Sequence, residues 1–112
     1  MIRIKRIYDP PAPEDGRRVL VDRLWPRGLA KEAARIDEWL KEIAPSDALR
    51  TWFGHDPARW EEFRKRYREE LGGHGEALER LRAETKRGTV TLLFAAKDSA
   101  HNNAVVLEEL LT

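Results

Sequence analysis

The sequence predicts a small α/β layered domain: a short, mostly parallel sheet of about three strands flanked by about five helices. Three observations carry this. Residues 89 to 96 are apolar on both faces, the mark of an interior strand covered on two sides. Segments with apolar residues three and four apart lie between the strand-like runs. Two apolar runs, ending near Val21 and Ala96, each discharge polar residues at their C-terminal ends, as strands of open α/β sheets do around ligand sites.

The elements follow in order. Residues 2 to 8, rich in isoleucine, read as the first strand, and residues 17 to 24 as the second. Between them Asp9-Pro10-Pro11-Ala12-Pro13-Glu14-Asp15-Gly16 is a loop by its proline and glycine content. A parallel crossover usually needs about a dozen residues or more. The two strands are therefore antiparallel neighbours, or parallel with a stripped-down connection; spacing leaves both open. A helix is expected over residues 30 to 43, with Ile36, Leu40 and Ile43 on one face and Trp39 beside them. Pro45 ends it, and Ser46 caps a short helix through Phe53. Asp56 and Pro57 then open the clearest helix, with Trp60, Phe63, Tyr67 and Leu71 inward and Gly72-Gly73 as its stop. Residues 75 to 86 form another, buried through Leu78 and Leu81 and stopped near Gly88. After the third strand, Asp98 or Ser99 caps a last helix that packs Ala104, Leu107 and Leu111. The order is β-β-α-α-α-α-β-α, in a single domain over residues 1 to 112.

Composition narrows the function classes. Lysine and arginine total 21 against 20 acidic residues, without the basic excess of a nucleic-acid binder. Arginine outnumbers lysine 15 to 6. Opposite charges stand four apart at Glu61 and Lys65, Glu62 and Arg66, and Glu76 and Arg80, a pattern of solvated helix faces that also fits a thermophile. The absence of cysteine excludes a disulfide framework, thiolate catalysis and zinc-thiolate sites, and fits a cytoplasmic protein. No apolar stretch approaches a membrane span, and Met1-Ile2-Arg3-Ile4-Lys5 lacks the uninterrupted apolar core of a signal peptide.

The candidate site combines two segments. In the first, Asp22 ends an apolar run, so a partly buried carboxylate needing a partner is expected, with Arg23, Arg27 or Lys97 available. Arg23 and Arg27 could clamp a phosphate or carboxylate, and Trp25-Pro26 could wall a pocket. In the second, Lys97, Asp98, Ser99, His101, Asn102 and Asn103 follow the last strand. If that strand runs straight into the helix, the backbone N–H groups of Ser99 to His101 form an anion site. Lys97 would add charge, Asn102 and Asn103 would orient the bound group, and His101 or Asp22 would move a proton. The plain alternatives are a capped helix and a structural ion pair at the strand end. His55 reads as part of a capped turn, and His74 as solvated.

No glycine-rich phosphate loop or dinucleotide fingerprint is present, and the three histidines lack HExxH spacing. No metal and no cofactor is therefore expected, and Ser46 and Ser99 sit in no nucleophile elbow. The reading favoured is an enzyme or binding protein for a small anionic ligand, nucleotide-like, phosphorylated or glycosidic, with a non-catalytic sensor as the variant on the same site. The competing classes are a DNA-associated regulator, since residues 46 to 53 and 57 to 71 superficially resemble helix-turn-helix, and a protein-interaction module with an exposed tryptophan patch. The oligomeric state is left open.

The strings VDRLWPRG and AAKDSAHNNA, within segments covering nearly the whole chain, resemble the YeaO-like family, part of the domain-of-unknown-function group 488. The resemblance implies a cytosolic bacterial α/β protein with a pocket formed by these two segments, and implies no reaction. More distant members of the group carry cysteine and a His-Arg pair after the last strand. Here Phe94-Ala95-Ala96-Lys97 precedes His101-Asn102-Asn103, so no thiol chemistry carries over.

Overall fold

The computed structural model describes all 112 residues. Its sheet has four strands, all parallel: β1 (Ile2–Arg6), β2 (Arg17–Leu20), β3 (Glu38–Trp39) and β4 (Val90–Phe94), in the spatial order β1-β4-β2-β3. Five α-helices complete it: α1 (Lys31–Ala34), α2 (Asp47–Phe53), α3 (Trp60–Leu71), α4 (Gly75–Arg87) and α5 (Asn103–Leu111). No helix is long and apolar enough to cross a membrane. The α/β class is as the sequence predicts, with one strand more.

β4 is the centre of the sheet, and all five of its residues are buried. Its alternating side chains feed opposite faces. Val90, Leu92 and Phe94 join Val19 and Val21 against α2 to α5, while Leu93 packs with Leu20, Ile7 and Ala34 beneath Trp25, Leu29 and Trp39. Fully burying one such side chain contributes roughly 2 kcal/mol.

Of the two geometries left open for the first two strands, the parallel one with a short connection is realised. They are parallel but not neighbours, because β4 lies between them. The connection crosses the N-terminal end of β4 and is pinned there. Thr91 Oγ1 donates to the Asp15 carbonyl at 2.7 Å. The Asp15 carboxylate, 1 % exposed, takes Lys5 of β1 at 3.1 Å and Arg18 of β2. Arg18 also donates to the carbonyls of Ala34 and Arg35. Gly16 lies at φ 61°, and a Cβ there would stand 2.2 Å from the Thr89 carbonyl oxygen, so only glycine fits.

The helix expected over residues 30 to 43 does not form. Only Lys31–Ala34 is α-helical, with a single 3-10 turn at Lys41–Ile43, and Arg35 leaves α1 in the left-handed region at φ 47°. The chain then becomes the edge strand β3, with Asp37 N–H donating to Arg18 O at 2.8 Å and Leu40 N–H to Leu20 O at 2.9 Å. Sheet pairing overrides the local periodicity. The helices from Ser46 onward follow the sequence. Ser46 Oγ accepts from Leu49 N–H, Asp56 caps a single 3-10 turn leading into α3, and α4 stops before Gly88.

α5 differs at its start. Its cap is Asn102, whose Oδ1 accepts from Val105 N–H at 3.2 Å, not Asp98 or Ser99. Of the three charge pairs expected on helix faces, Glu62–Arg66 forms at 2.9 Å. Glu61 pairs with Arg64 instead, and Arg80 with Glu38 and Glu84.

Candidate functional site

The C-terminal ends of β1, β2 and β4 open into a cleft of about 780 Å³. One wall is the segment after β2, Asp22 to Arg27; a second is the segment after β4, Ala95 to Asp98 with His101, Asn102 and Asn103. Tyr8, just beyond β1, and Pro45, Arg50, Phe53, His55 and Phe63 close the rest. Both polar segments singled out in the sequence thus meet at one sheet edge. Ser99 is the exception: it is exposed and outside the cleft.

Asp22 stands at the junction. Its Oδ2 accepts from Ala95 N–H at 2.8 Å and its Oδ1 from Asn103 Nδ2 at 3.2 Å. Neither Arg23, Arg27 nor Lys97 pairs with it, contrary to the expected ion pair. Burial pushes its pKa above the ordinary carboxylate value, against the two N–H donors and the nearby His55, which pull it down. Asp22 is thus fixed by neutral donors alone.

His101 carries the other expected proton-transfer role. Its Nδ1 lies 2.8 Å from Asp98 Oδ2, and its ring meets Trp60 edge to face at 5.2 Å. Asp98 also accepts from Ala100 N–H and His101 N–H, at 2.9 and 3.1 Å. His101 and these backbone donors hold the Asp98 carboxyl below its usual range. These bonds remove the anion site drawn from free amides at Ser99 to His101: the Ala100 and His101 amides are already taken by Asp98, and α5 begins only at Asn103. What remains is an Asp-His pair, which fixes Nδ1 toward Asp98 and leaves Nε2 as the second functional atom.

The cations divide into engaged and free. Arg23 donates to the carbonyls of Pro45 and Ala44 at 3.1 and 3.2 Å, so it braces the wall. Arg50 lies 3.6 Å from Asp47. The side chains of Arg27 and Lys97 are exposed and have no protein partner. Arg27 is held through its backbone, where Tyr8 Oη donates to its carbonyl at 2.8 Å. Trp25 donates to Leu29 O at 2.7 Å and packs edge-on to Trp39 at 5.4 Å, so it both walls the cleft and anchors the loop. Asn102 is spent on the helix cap and on the Asp98 carbonyl.

Sequence reasoning misses the far wall. Phe53 and Phe63 stack at 4.3 Å and supply its apolar floor, although the sequence marks Phe63 only as core and Phe53 only as a helix end. His55 faces the cleft with φ 57°, a left-handed conformation that disfavours any side chain. The signal was present as Gly54-His55 between two helices. No group of three or more histidine, aspartate or glutamate side chains gathers to hold a metal ion.

Fold and cleft define a small α/β domain with a hollow at the carboxyl edge of a parallel sheet, walled by two polar segments. The chain belongs to the DUF488 group: the model of its DUF488-N3i family, described as the inactive DUF488-N3 subclade, matches residues 1–112. An uncharacterised protein of Mycobacterium tuberculosis is 46% identical over 110 residues, covering 98% of this chain and 92% of its own length. The uncharacterised protein YeaO of Escherichia coli is 44% identical over 110 residues, covering 98% of this chain and 96% of its own. No solved structure matches the chain.

Proposed function

We infer that this domain binds a small anionic ligand in the cleft and does not turn it over. The observation that carries this reading is the placement of Arg27 and Lys97, two cations free of protein partners, on the two segments that face each other across an apolar floor. Apolar lining with a few convergent polar groups is the usual make-up of a small-molecule site. The inactive subclade to which the chain is similar agrees with binding without catalysis.

A DNA-associated role finds less support. The arginines of α3 are taken up by acids, Arg64 by Glu61 and Glu109 and Arg66 by Glu62, while Phe63 and Tyr67 face the core. Nor is there a bare tryptophan patch, because all four tryptophans are half-buried.

Thermal-shift titration against small phosphates and carboxylates, followed by chemical recovery of the ligand, tests the proposal. A ligand at about 100 times its Kd adds about 2.7 kcal/mol, raising Tm by roughly 10 °C in a chain this size. Recovery unchanged is the expected result. Consumption of the ligand, abolished by His101→Ala, would establish an enzyme instead.

A further inference from the structure

We propose that Asp22 reads the inner end of the ligand, and that the occupant is a nucleoside monophosphate whose base presents only N–H donors to it. This rests on the binding reading above and names its ligand class. Asp22 is the one carboxylate of the cleft without a cationic or imidazole partner within bonding distance; Asp98 has His101. Each of its oxygens receives one N–H, and a carboxylate oxygen accepts two. One acceptor position per oxygen therefore remains on a half-buried side chain that lines the cleft. A buried acceptor left empty is costly, so the occupant brings donors.

The surroundings select the shape of the donor group. The cleft that Asp22 lines takes its apolar surface from Phe53, Phe63, Pro45 and Ala95, with His55 near the carboxylate. A sugar phosphate would set several hydroxyls against this surface with few partners. A flat heterocycle lays its faces on it and turns one edge to Asp22. Arg27 and Lys97 then take the phosphate at the exposed rim. Guanine, with a ring N–H beside an exocyclic amino group, offers two adjacent donors. Adenine offers one donor beside an acceptor, which faces a carboxylate oxygen unfavourably.

Isothermal titration calorimetry of the full chain with guanosine monophosphate, adenosine monophosphate and ribose phosphate decides it. Guanosine monophosphate should bind at least about tenfold more tightly than either of the others, the size expected for the loss of one hydrogen bond to the carboxylate. In Asp22→Asn its affinity should fall to that of ribose phosphate measured on the same variant. Should the variant not fold, the wild-type NMR signals of the Ala95 amide and the Asn103 side-chain amide serve. They should shift with guanosine monophosphate and stay still with ribose phosphate. Equal affinities for all three probes, or unmoved signals, overturn the role of Asp22 and leave the anion site intact. Binding by none of them overturns both readings.

Discussion

Asn103 reaches across to Asp22, eighty-one positions away in the chain, and joins the end of β2 to the first residue of α5. Its Nδ2 donates to Val21 O at 2.8 Å and to Asp22 Oδ1 at 3.2 Å. One side-chain amide therefore sets both the separation of the two cleft walls and the orientation of the carboxylate. Asn103→Ala should lose about 1–2 kcal/mol of stability in urea unfolding, the cost of two lost bonds to partly buried acceptors. A change below about 0.3 kcal/mol would show that the walls are held by other contacts.

The raised pKa of Asp22 gives a pH dependence of definite sign. Its charged form is disfavoured in the folded state, so its contribution to stability is complete below the unfolded value, near 3.8, and is lost as pH rises through the folded value. Asp22→Asn removes that loss. Unfolding free energies measured from about pH 3 to about pH 7 should therefore move in favour of the variant as pH rises. A difference that moves toward the wild type would contradict the burial of this carboxylate.

Asp15 works in the opposite direction. Burial raises its pKa, but the bonds from Ala12 N–H, Lys5 and Arg18 outweigh that and hold it below the ordinary value. Its contribution is present above the unfolded value and is lost as pH falls through the folded one. Asp15→Asn leaves Arg18, itself 5 % exposed, without its anion and should cost about 3 kcal/mol near neutral pH, read by urea unfolding. A cost under about 1 kcal/mol would mean the pair does not pin the crossover.

Much of this architecture is legible in the sequence. The continuous apolar run at Val90 to Phe94 marks the central strand, and the Ser46 and Asp56 caps mark α2 and α3. Residues 30 to 43 mislead for a physical reason. Ile36 and Trp39 pack on one face of the sheet, Leu40 and Ile43 on the other, as the chain passes its edge. A helical repeat and an edge crossing place apolar residues at the same spacing. The two cleft segments are visible because their polar residues end apolar runs. The Asp22–Asn103 bond and the place of Phe53 in the far wall are invisible because both depend on tertiary placement, and at His55 the sequence offers only the Gly54-His55 turn.

His55 carries backbone strain that a variant pair isolates. His55→Gly and His55→Ala both remove the ring, but only glycine is at ease at φ 57°. The glycine variant should be more stable by about 1 kcal/mol in thermal or urea unfolding. Equal stability would show that residue 55 relaxes out of the left-handed region.

The central claim, that one cleft at the carboxyl edge of the sheet takes an anion between its two polar segments, meets its most direct test in an NMR titration with ribose phosphate. Amide shifts should concentrate at residues 23 to 27 and 96 to 101, around the two free cations, and should vanish in the Arg27→Ala, Lys97→Ala double variant. Shifts that spread over other surfaces, or that persist at full size in the double variant, would contradict it.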